Sequence, residues 1–327
     1  MLETRFARIA FIGGCSITLL GTVALMYQLN KLSNSHNKLK TSHEKMKIYA
    51  FFEAVENGDK NATSTFLEDD PSLVHRIKGD DRRSPMHVAL LTDKKGDKKG
   101  TLEVIYKFDP GQVHALDADN LTPLHCASQK LHNGAITFLL EKNVDPNSNE
   151  TRWKDKPLNW NALHTAVCDH NVVDVDIVEK RKKVIKSLCE GGVDINARDA
   201  CGRTPFYIAV DHLADREILQ FLLDQGADIS IKTYSRDEHD PVNLADADEF
   251  SRTPLHKAAE KGHTYLFDFL IEALEKRGIS RDMPDEEGKT YQDLLKTHVT
   301  PPPARIAFFK YSNASACLDS VIGASPS

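Results

Sequence analysis

Cysteine is sparse in this chain of 327 residues, and its spacing matches no metal site. The six cysteines include no CxxC pair and no Cys/His group with zinc-ligand spacing. A disulfide framework is not expected in so long a chain with so few cysteines, and reduced thiols in a cytosolic environment fit better. We predict no bound metal and no disulfide among Cys15, Cys126, Cys168, Cys189, Cys201 and Cys317.

The sequence also lacks the short motifs of common active sites. It contains no P-loop, no dinucleotide-binding glycine motif, no GxSxG and no HExxH. The run Arg-Asp-Glu-His-Asp at 236–240 is interpreted as a solvated loop, because adjacent side chains on a loop seldom converge on one point. We therefore predict that the protein is not an enzyme, and that it uses no cofactor and no small-molecule substrate.

The main body of the chain lacks an excess of basic residues. Residues 1–47 hold seven Lys/Arg and two Asp/Glu, a balance of +5, whereas the remainder holds 35 and 46, a balance of −11. Nucleic-acid binding needs a basic surface that releases counterions from phosphates. The acidic body therefore argues against a nucleic-acid partner, and the basic excess lies beside an apolar segment.

Long apolar runs are rare, and one stands out near the amino terminus. Residues 9–27 carry no charge, and as a helix they would span about 28 Å, close to the thickness of a bilayer core. We interpret residues 9–29 as a membrane anchor; a cleaved signal peptide and a buried core helix are the alternatives. Two Lys/Arg precede the segment and five follow it, which favours a single-pass protein with its body on the cytoplasmic side.

The rest of the chain is built from an internal repeat. Five strings of four residues share one template, and their second positions are spaced by 38, 39, 43 and 49 residues. A sixth, weaker copy begins at Thr290. The strings are Ser84-Pro-Met-His87, Thr122-Pro-Leu-His125, Asn161-Ala-Leu-His164, Thr204-Pro-Phe-Tyr207 and Thr253-Pro-Leu-His256.

Each string predicts the start of a helix. A hydroxyl or amide side chain can cap the first free N–H groups, and proline is tolerated at the first helical position. A second string, such as Phe221-Leu-Leu-Asp-Gln-Gly-Ala-Asp228, predicts the end of a second helix with a left-handed glycine. A pair of helices cannot bury its apolar side alone, so we expect the units to stack as a solenoid.

These strings resemble the Thr-Pro-Leu-His and Leu-Leu-x-x-Gly-Ala-Asp motifs of the ankyrin-repeat family. The resemblance covers about residues 47–298 and implies an all-α solenoid of helix-turn-helix repeats with hairpin loops. It also implies a protein-binding surface on the hairpin tips and the concave helix face. We call the fourth residue of the Thr-Pro-Leu-His string the box histidine; here it is His87, His125, His164 and His256. In that family the box histidine joins neighbouring repeats through hydrogen bonds.

The predicted organisation follows from these segments. A short amino-terminal segment (1–8) precedes the transmembrane anchor (9–29) and a basic juxtamembrane linker (30–46). The ankyrin-repeat domain (47–298) holds five recognisable repeats, numbered two to six, between degenerate caps, and a flexible tail (299–327) follows it. Extra residues are expected in a solvated loop at 93–100, in a longer first helix or loop at 169–183, and in a hairpin insertion at 233–247.

The partner-binding residues are predicted from two neighbouring connections between repeats. Both tryptophans of the chain fall in the connection before repeat four, and tryptophan and arginine dominate interface energies. For Trp160 the alternative is that it packs inward beneath its own hairpin. The predicted site comprises Arg152, Trp153, Trp160, Tyr234, Arg236, Phe250 and Arg252.

The function predicted from the sequence is protein–protein interaction by a membrane-anchored scaffold without catalysis. The partner is a protein of unknown identity. The alternative is a secreted effector of an intracellular bacterium that binds host proteins at a host membrane.

Overall fold

The computed structural model describes residues 42–149, 151–153, 156–168, 175–212, 215–234 and 251–297. Two compact units are distinguished, residues 1–53 and 54–327. Helix α1 covers residues 42–57, and the boundary between the units falls within it. In the first unit the rings of Phe51 and Phe52 are buried, with centroids 5.3 Å apart. The following paragraphs concern the second unit.

The second unit is a succession of helix pairs. Each of repeats two to six consists of a first and a second helix: α3/α4, α5/α6, α7/α8, α9/α10 and α11/α12. Helix α2 precedes them, and α13 follows as the first helix of a seventh unit. The helices are α2 Lys60–Asp69, α3 Pro85–Leu91, α4 Lys98–Phe108, α5 Pro123–Gln129, α6 Asn133–Glu141, α7 Ala162–Val167, α8 Val175–Glu190, α9 Pro205–Asp211, α10 Arg216–Asp224, α11 Pro254–Lys261, α12 Thr264–Glu275 and α13 Tyr291–Thr297.

Like helices stack on like helices. The first helices contact one another in series from α3 to α13, and the second helices from α2 to α10 do the same. Extended structure is confined, in the described residues, to the isolated bridge between Lys78 and Arg83 and to one antiparallel pair. That pair joins β1 (Arg152–Trp153) to β2 (Lys156–Pro157). The predicted helical solenoid is therefore confirmed.

The four-residue strings start the first helices as predicted. The Thr204 hydroxyl accepts a hydrogen bond from the Tyr207 N–H at 3.2 Å, and Pro205 occupies the first turn of α9. One alanine per repeat, two positions after the box histidine or Tyr207, is fully buried, and its small side chain permits close helix contact. These alanines are Ala89, Ala127, Ala166, Ala209 and Ala258.

The second helices end as predicted at a left-handed residue. Gly192 and Gly226 have φ of 85° and 102°, a region that glycine enters without steric cost. The N–H of Ala227 then donates to the Leu222 carbonyl at 3.0 Å and closes the last turn of α10.

The extra residues of repeat four, predicted to lie in a longer first helix or loop at 169–183, belong from residue 175 onward to the second helix. Helix α7 has six residues, whereas the second helix, α8, has sixteen. The extra residues from 175 onward are rich in Glu, Lys and Arg, which are good helix formers, so they lengthen the second helix. Residues 169–174 lie outside the described residues.

The solvated loop of repeat two is shorter than predicted. Helix α4 already includes Lys98 and Gly100, which are buried, so only residues 92–97 link the two helices. Of the insertion at 233–247, only Thr233 and Tyr234 are described.

The predicted membrane anchor, 9–29, and the predicted tail, 299–327, both lie outside the described residues. Among the helices that are described, none is both long enough and apolar enough to cross a bilayer.

Candidate protein-binding surface

An aspartate closes the turn between repeats at three places. The carboxylate oxygen Oδ1 of Asp199 accepts the N–H groups of Cys201 and Arg203, each at 2.8 Å. The N–H of Asp199 itself donates to the Arg203 carbonyl at 2.9 Å. Asp117 and Asp285 make the same pattern two and four residues ahead. The pattern Asp-x-x-(Asn/Gly)-x-Thr therefore folds as a side-chain-stabilised hairpin turn.

Each turn needs a residue in the left-handed region two positions before the helix cap. Glycine or asparagine, which tolerate this region, fill most of these positions. Gly202 is required twice over, because an added Cβ there would also lie 2.4 Å from the Tyr234 nitrogen. The six residues and their φ angles are Arg82 (54°), Asn120 (58°), Asn159 (55°), Gly202 (76°), Ser251 (52°) and Gly288 (76°).

Threonine replaces the aspartate in the two longest connections. The Thr151 hydroxyl accepts the Trp160 N–H at 2.8 Å, and the Thr233 hydroxyl accepts the Arg252 N–H at 3.0 Å. Both threonines are buried. A buried hydroxyl therefore closes the base of each longer connection.

Neighbouring turns are joined by backbone hydrogen bonds. The N–H of Ala118 donates to the Asp81 carbonyl at 2.8 Å, and that of Ala200 donates to the Leu158 carbonyl at 2.9 Å. The N–H of Tyr234 likewise donates to the Cys201 carbonyl at 3.1 Å. We call the turns that precede Ser84, Thr122, Asn161, Thr204, Thr253 and Thr290 the hairpin row.

The box histidines fasten the hairpin row to the helices. In repeat three the Thr122 N–H donates to His125 Nδ1 at 3.2 Å, so Nδ1 is an acceptor and Nε2 carries the proton. His125 Nε2 then donates to the Trp160 carbonyl of the next repeat at 3.0 Å. His87, His164 and His256 make the equivalent bonds to the carbonyls of Leu121, Arg203 and Lys289. The predicted inter-repeat role of these histidines is confirmed.

Burial keeps these imidazoles neutral. It lowers the pKa of His87, His125 and His164 to about 4, because the charged form would lose its hydration. Both ring nitrogens are engaged in hydrogen bonds, so the geometry fits a structural role and offers no acid or base to a substrate.

Trp160 connects two turns of the hairpin row. Its indole Nε1 donates to Asp199 Oδ2 at 3.1 Å, and its ring stacks on His164 with centroids 6.3 Å apart. The same carboxylate oxygen pairs with Arg203 at 2.7 Å. The half-buried Trp160 thus packs within the row, which resembles the inward alternative described above.

Arg252 makes the corresponding connection one repeat before the end. Its Nε lies 3.5 Å from Asp285 Oδ2, and its Nη1 lies 3.2 Å from Glu260 Oε2. The side chain is buried between repeats six and seven. Arg252, like Trp160, holds successive turns together.

Tyr234 lies under a cation. The guanidinium carbon of Arg198 is 4.0 Å from the centre of the Tyr234 ring, and Arg198 Nη2 donates to the Lys232 carbonyl at 2.7 Å. This cation–π pair joins the turns of repeats five and six at the surface.

The other predicted residues are only partly described. Arg152 and Trp153 form β1, but their side chains lie outside the described residues, as do Arg236 and Phe250. The pairing of Trp153 with Lys156 shows that this connection is a hairpin, as the resemblance implied. The predicted partner-binding role of these residues stays a prediction.

Two exposed apolar residues were missed in the sequence. Ile77 and Leu116 lie directly before the turns of repeats two and three and are 58% and 43% exposed. Their turns are joined by the bond between Ala118 and Asp81. A signal exists in retrospect, because each is an apolar residue next to the first residue of a turn rather than inside a helical pattern.

No cluster of three or more His, Cys, Asp or Glu side chains suited to a metal ion occurs in the described parts of the chain. The stacked helix pairs and the projecting hairpin row together define a solenoid repeat protein with an extended polar and apolar edge.

Comparison with known proteins identifies the repeat. A model described as "Ankyrin repeats (3 copies)" matches residues 149–233, and one described as "Ankyrin repeat" matches residues 119–150. The chain therefore carries ankyrin repeats, a type of domain that serves as a protein–protein interaction module. No enzyme family is indicated by these matches.

The curated relatives share this repeat over part of their length. A putative ankyrin repeat protein, FPV233, of Fowlpox virus (strain NVSL) is 41% identical over 17% of this chain. Mouse Rabankyrin-5 is 22% identical over 51% of it, and a Caenorhabditis elegans homolog of transient receptor potential cation channel subfamily A member 1 is 25% identical over 74%. These matches cover 11%, 14% and 16% of the respective relatives.

Solved structures agree on the fold. The ankyrin repeat domain of Bcl-3, an IkappaB family member, superposes with a TM-score of 0.53 over 77% of this chain and 98% of that domain. The ankyrin repeat domain of human ASB11 gives a TM-score of 0.54 over 78% and 99%. Both are 20% identical in sequence, so they support the fold and nothing finer.

Proposed function

We propose that this protein binds a protein partner through the hairpin row and that residues 9–29 hold it to a membrane. The observation that carries the binding site is the pair Ile77 and Leu116, which expose apolar side chains on two turns that are bonded to each other. An apolar patch with a polar rim is typical of a protein interface. The charged residues of the turns, such as Asp81 and Arg83, supply that rim.

The second part of the proposed surface is aromatic and cationic. Tyr234 and Arg198 form one stacked pair. Arg236 and Phe250 belong to the same connection as Tyr234, and Arg152 and Trp153 belong to the connection before repeat four. Tryptophan, tyrosine and arginine are enriched among the residues that contribute most to the binding energy of protein interfaces. Together with Ile77 and Leu116 they would give the partner anchors along several neighbouring turns.

Trp160 and Arg252 contribute by keeping the hairpin row rigid. Each donates from one turn to the aspartate of the next, Asp199 or Asp285. A surface that is already ordered before binding loses less entropy when the partner arrives. We therefore assign these two residues to preorganisation rather than to direct contact.

Membrane attachment is supported by the sequence of the amino terminus. Nineteen uncharged residues at 9–27 match a bilayer core in length, and the basic residues that follow favour a cytoplasmic location for the repeats. A tethered interaction domain would bring its partner to the membrane surface.

Replacing the proposed anchors should weaken partner capture. Trp153→Ala combined with Arg236→Ala should raise the dissociation constant about thirtyfold, corresponding to about 2 kcal/mol. Partners are first identified by affinity capture with the full chain and mass spectrometry, and their affinity is then measured by titration. Ile77→Asp with Leu116→Asp should cause a comparable loss.

The matched control is Tyr265→Asp, which also places a charge at an exposed apolar site. Tyr265 is 59% exposed, but it lies on the second helix α12 and not in the hairpin row. This variant should bind as the wild type does. Unchanged affinity in both hairpin-row variants would move the site to the concave helix face.

The anchor is tested by expressing the full chain in a cell that glycosylates secreted domains. Asn61, Asn120, Asn149 and Asn313 head N-x-(Ser/Thr) sequons and act as reporters. The protein should sediment with membranes, and it should migrate at its unmodified mass. A variant lacking residues 9–29 should leave the membrane fraction.

A mass shift removed by a glycosidase would reverse the proposed orientation. Unchanged sedimentation of the shortened variant would exclude the anchor.

A further inference from the structure

One turn of the hairpin row holds a residue whose backbone conformation is strained. Arg82 has a φ of 54°, in the left-handed region two positions before the helix cap Ser84. Four of the six turns fill this position with asparagine or glycine, which tolerate the region, and Ser251 is the other exception. An arginine there brings its Cβ close to the following carbonyl oxygen. Residues strained in this way are concentrated at functional sites.

The side chain of Arg82 does not stabilise its own turn. Arg82 is exposed, and within the described parts of the chain its side chain makes no ion pair and no hydrogen bond. The other two basic residues of the turn differ, because Arg83 pairs with Asp81 at 3.1 Å and Lys78 pairs with Glu56. An asparagine at position 82 would therefore serve the fold at least as well as the arginine.

Arg82 lies on the same two turns as the exposed apolar pair. Ile77 comes directly before the turn of repeat two, and Arg82 lies within that turn. The carbonyl next to Arg82, that of Asp81, accepts the N–H of Ala118 in the following turn at 2.8 Å. Leu116 lies two residues before Ala118. Two bonded turns therefore carry an exposed cation and two exposed apolar side chains.

The turn of repeat two is basic, although the body of the protein is acidic. Residues 75–83 hold four Lys/Arg and two Asp, a balance of +2, whereas residues 48–327 as a whole carry −11. On the adjoining turn, Asp119 is half-buried, and Asp117 is buried with its carboxylate accepting two backbone N–H groups. An acidic partner would be attracted to this turn and repelled by the body as a whole.

We propose that Arg82 binds a carboxylate of the protein partner, and that apolar residues beside this carboxylate cover Ile77 and Leu116. A guanidinium binds a carboxylate through two parallel N–H···O bonds, which makes arginine well suited to this contact. The proposal rests on the proposed use of the hairpin row for binding, and it adds the chemistry of the partner: Asp or Glu side chains next to apolar ones.

Selection of peptides on the full chain tests the chemistry of the partner. A phage library of random short peptides is selected on the wild type and, in parallel, on Arg82→Glu. Peptides enriched on the wild type should combine Asp or Glu with apolar residues, and Arg82→Glu should lose the enrichment of acidic residues. Enrichment of neutral or basic peptides on the wild type would overturn the proposal.

The most enriched peptide then measures the role of Arg82. Its dissociation constant, obtained by fluorescence anisotropy, should rise about tenfold in Arg82→Asn. The urea midpoint of this variant should rise slightly, because asparagine tolerates the left-handed region better than arginine does. Ser251→Asn is the matched control: it makes the same replacement in another turn, so its urea midpoint should also rise while its affinity stays unchanged.

Two results would contradict the assignment of Arg82. One is an unchanged affinity in Arg82→Asn, and the other is a lower urea midpoint, which would show that the arginine supports its own turn. Ile77→Asp with Leu116→Asp separates this proposal from the proposed function. If this double variant binds the peptide as the wild type does, the hairpin row is not the site. If it loses binding while Arg82→Asn retains it, only the carboxylate contact is wrong.

Discussion

Replacing Asp199 with alanine should destabilise the repeat domain by about 3–5 kcal/mol. The carboxylate is 1% exposed and accepts from two backbone N–H groups, the Trp160 indole and the Arg203 guanidinium. Its removal leaves the largely buried charge of Arg203 without this partner, and breaking a buried ion pair costs far more than a surface pair is worth. Urea unfolding of the full chain, followed by circular dichroism, measures the loss.

Asp117→Ala provides the comparison, because Asp117 closes the equivalent turn two repeats earlier. Burial raises the pKa of Asp117 to about 6, so its charged form is already disfavoured in the folded protein. We expect a smaller loss, about 1–2 kcal/mol, from the backbone hydrogen bonds of the turn. Equal losses in the two variants would show that the pair with Arg203 adds nothing to stability.

The helical boundaries were predictable because their causes are local. A string of four residues that begins with Thr204 and Pro205 specifies the start of α9, and a single residue, Gly226, specifies the end of α10. The stacking of repeats then followed from the need to cover apolar faces. The inter-repeat bonds of the box histidines were predicted from the family resemblance rather than from spacing.

The candidate site was less predictable because its residues act over long separations. Trp160 and Arg252 look like interface anchors in the sequence, but their partners Asp199 and Asp285 lie 39 and 33 residues further on. The exposure of Ile77 and Leu116 depends on how neighbouring turns stack, which no local pattern encodes. Asp293 in place of a histidine was missed because a carboxylate makes the same cap with different chemistry.

Lowering the pH from 7 to 5 should reduce the free energy of unfolding by roughly 4 kcal/mol. Three buried histidines have a folded pKa of about 4 against 6.5 when exposed, so the unfolded chain binds more protons between these values. Each contributes stability that is present above pH 6.5 and is lost as the pH falls towards 4, about 2 kcal/mol by pH 5. Asp117, whose pKa is raised to about 6, acts in the opposite direction and offsets part of the loss.

The pH dependence should trace to the box histidines one at a time. His164→Tyr, which copies the residue of repeat five, should lower the slope of unfolding free energy against pH by about one proton, or about 1.4 kcal/mol per pH unit, between pH 4.5 and 6. His114→Tyr is the control, since His114 is exposed and should leave the slope unchanged. Urea unfolding at half-unit pH steps gives both slopes. A wild-type stability that stays constant from pH 7 to 5 would contradict the neutral, Nε2-protonated state assigned to these histidines, because protonation of Nδ1 must break the bond from the helix cap that holds each ring.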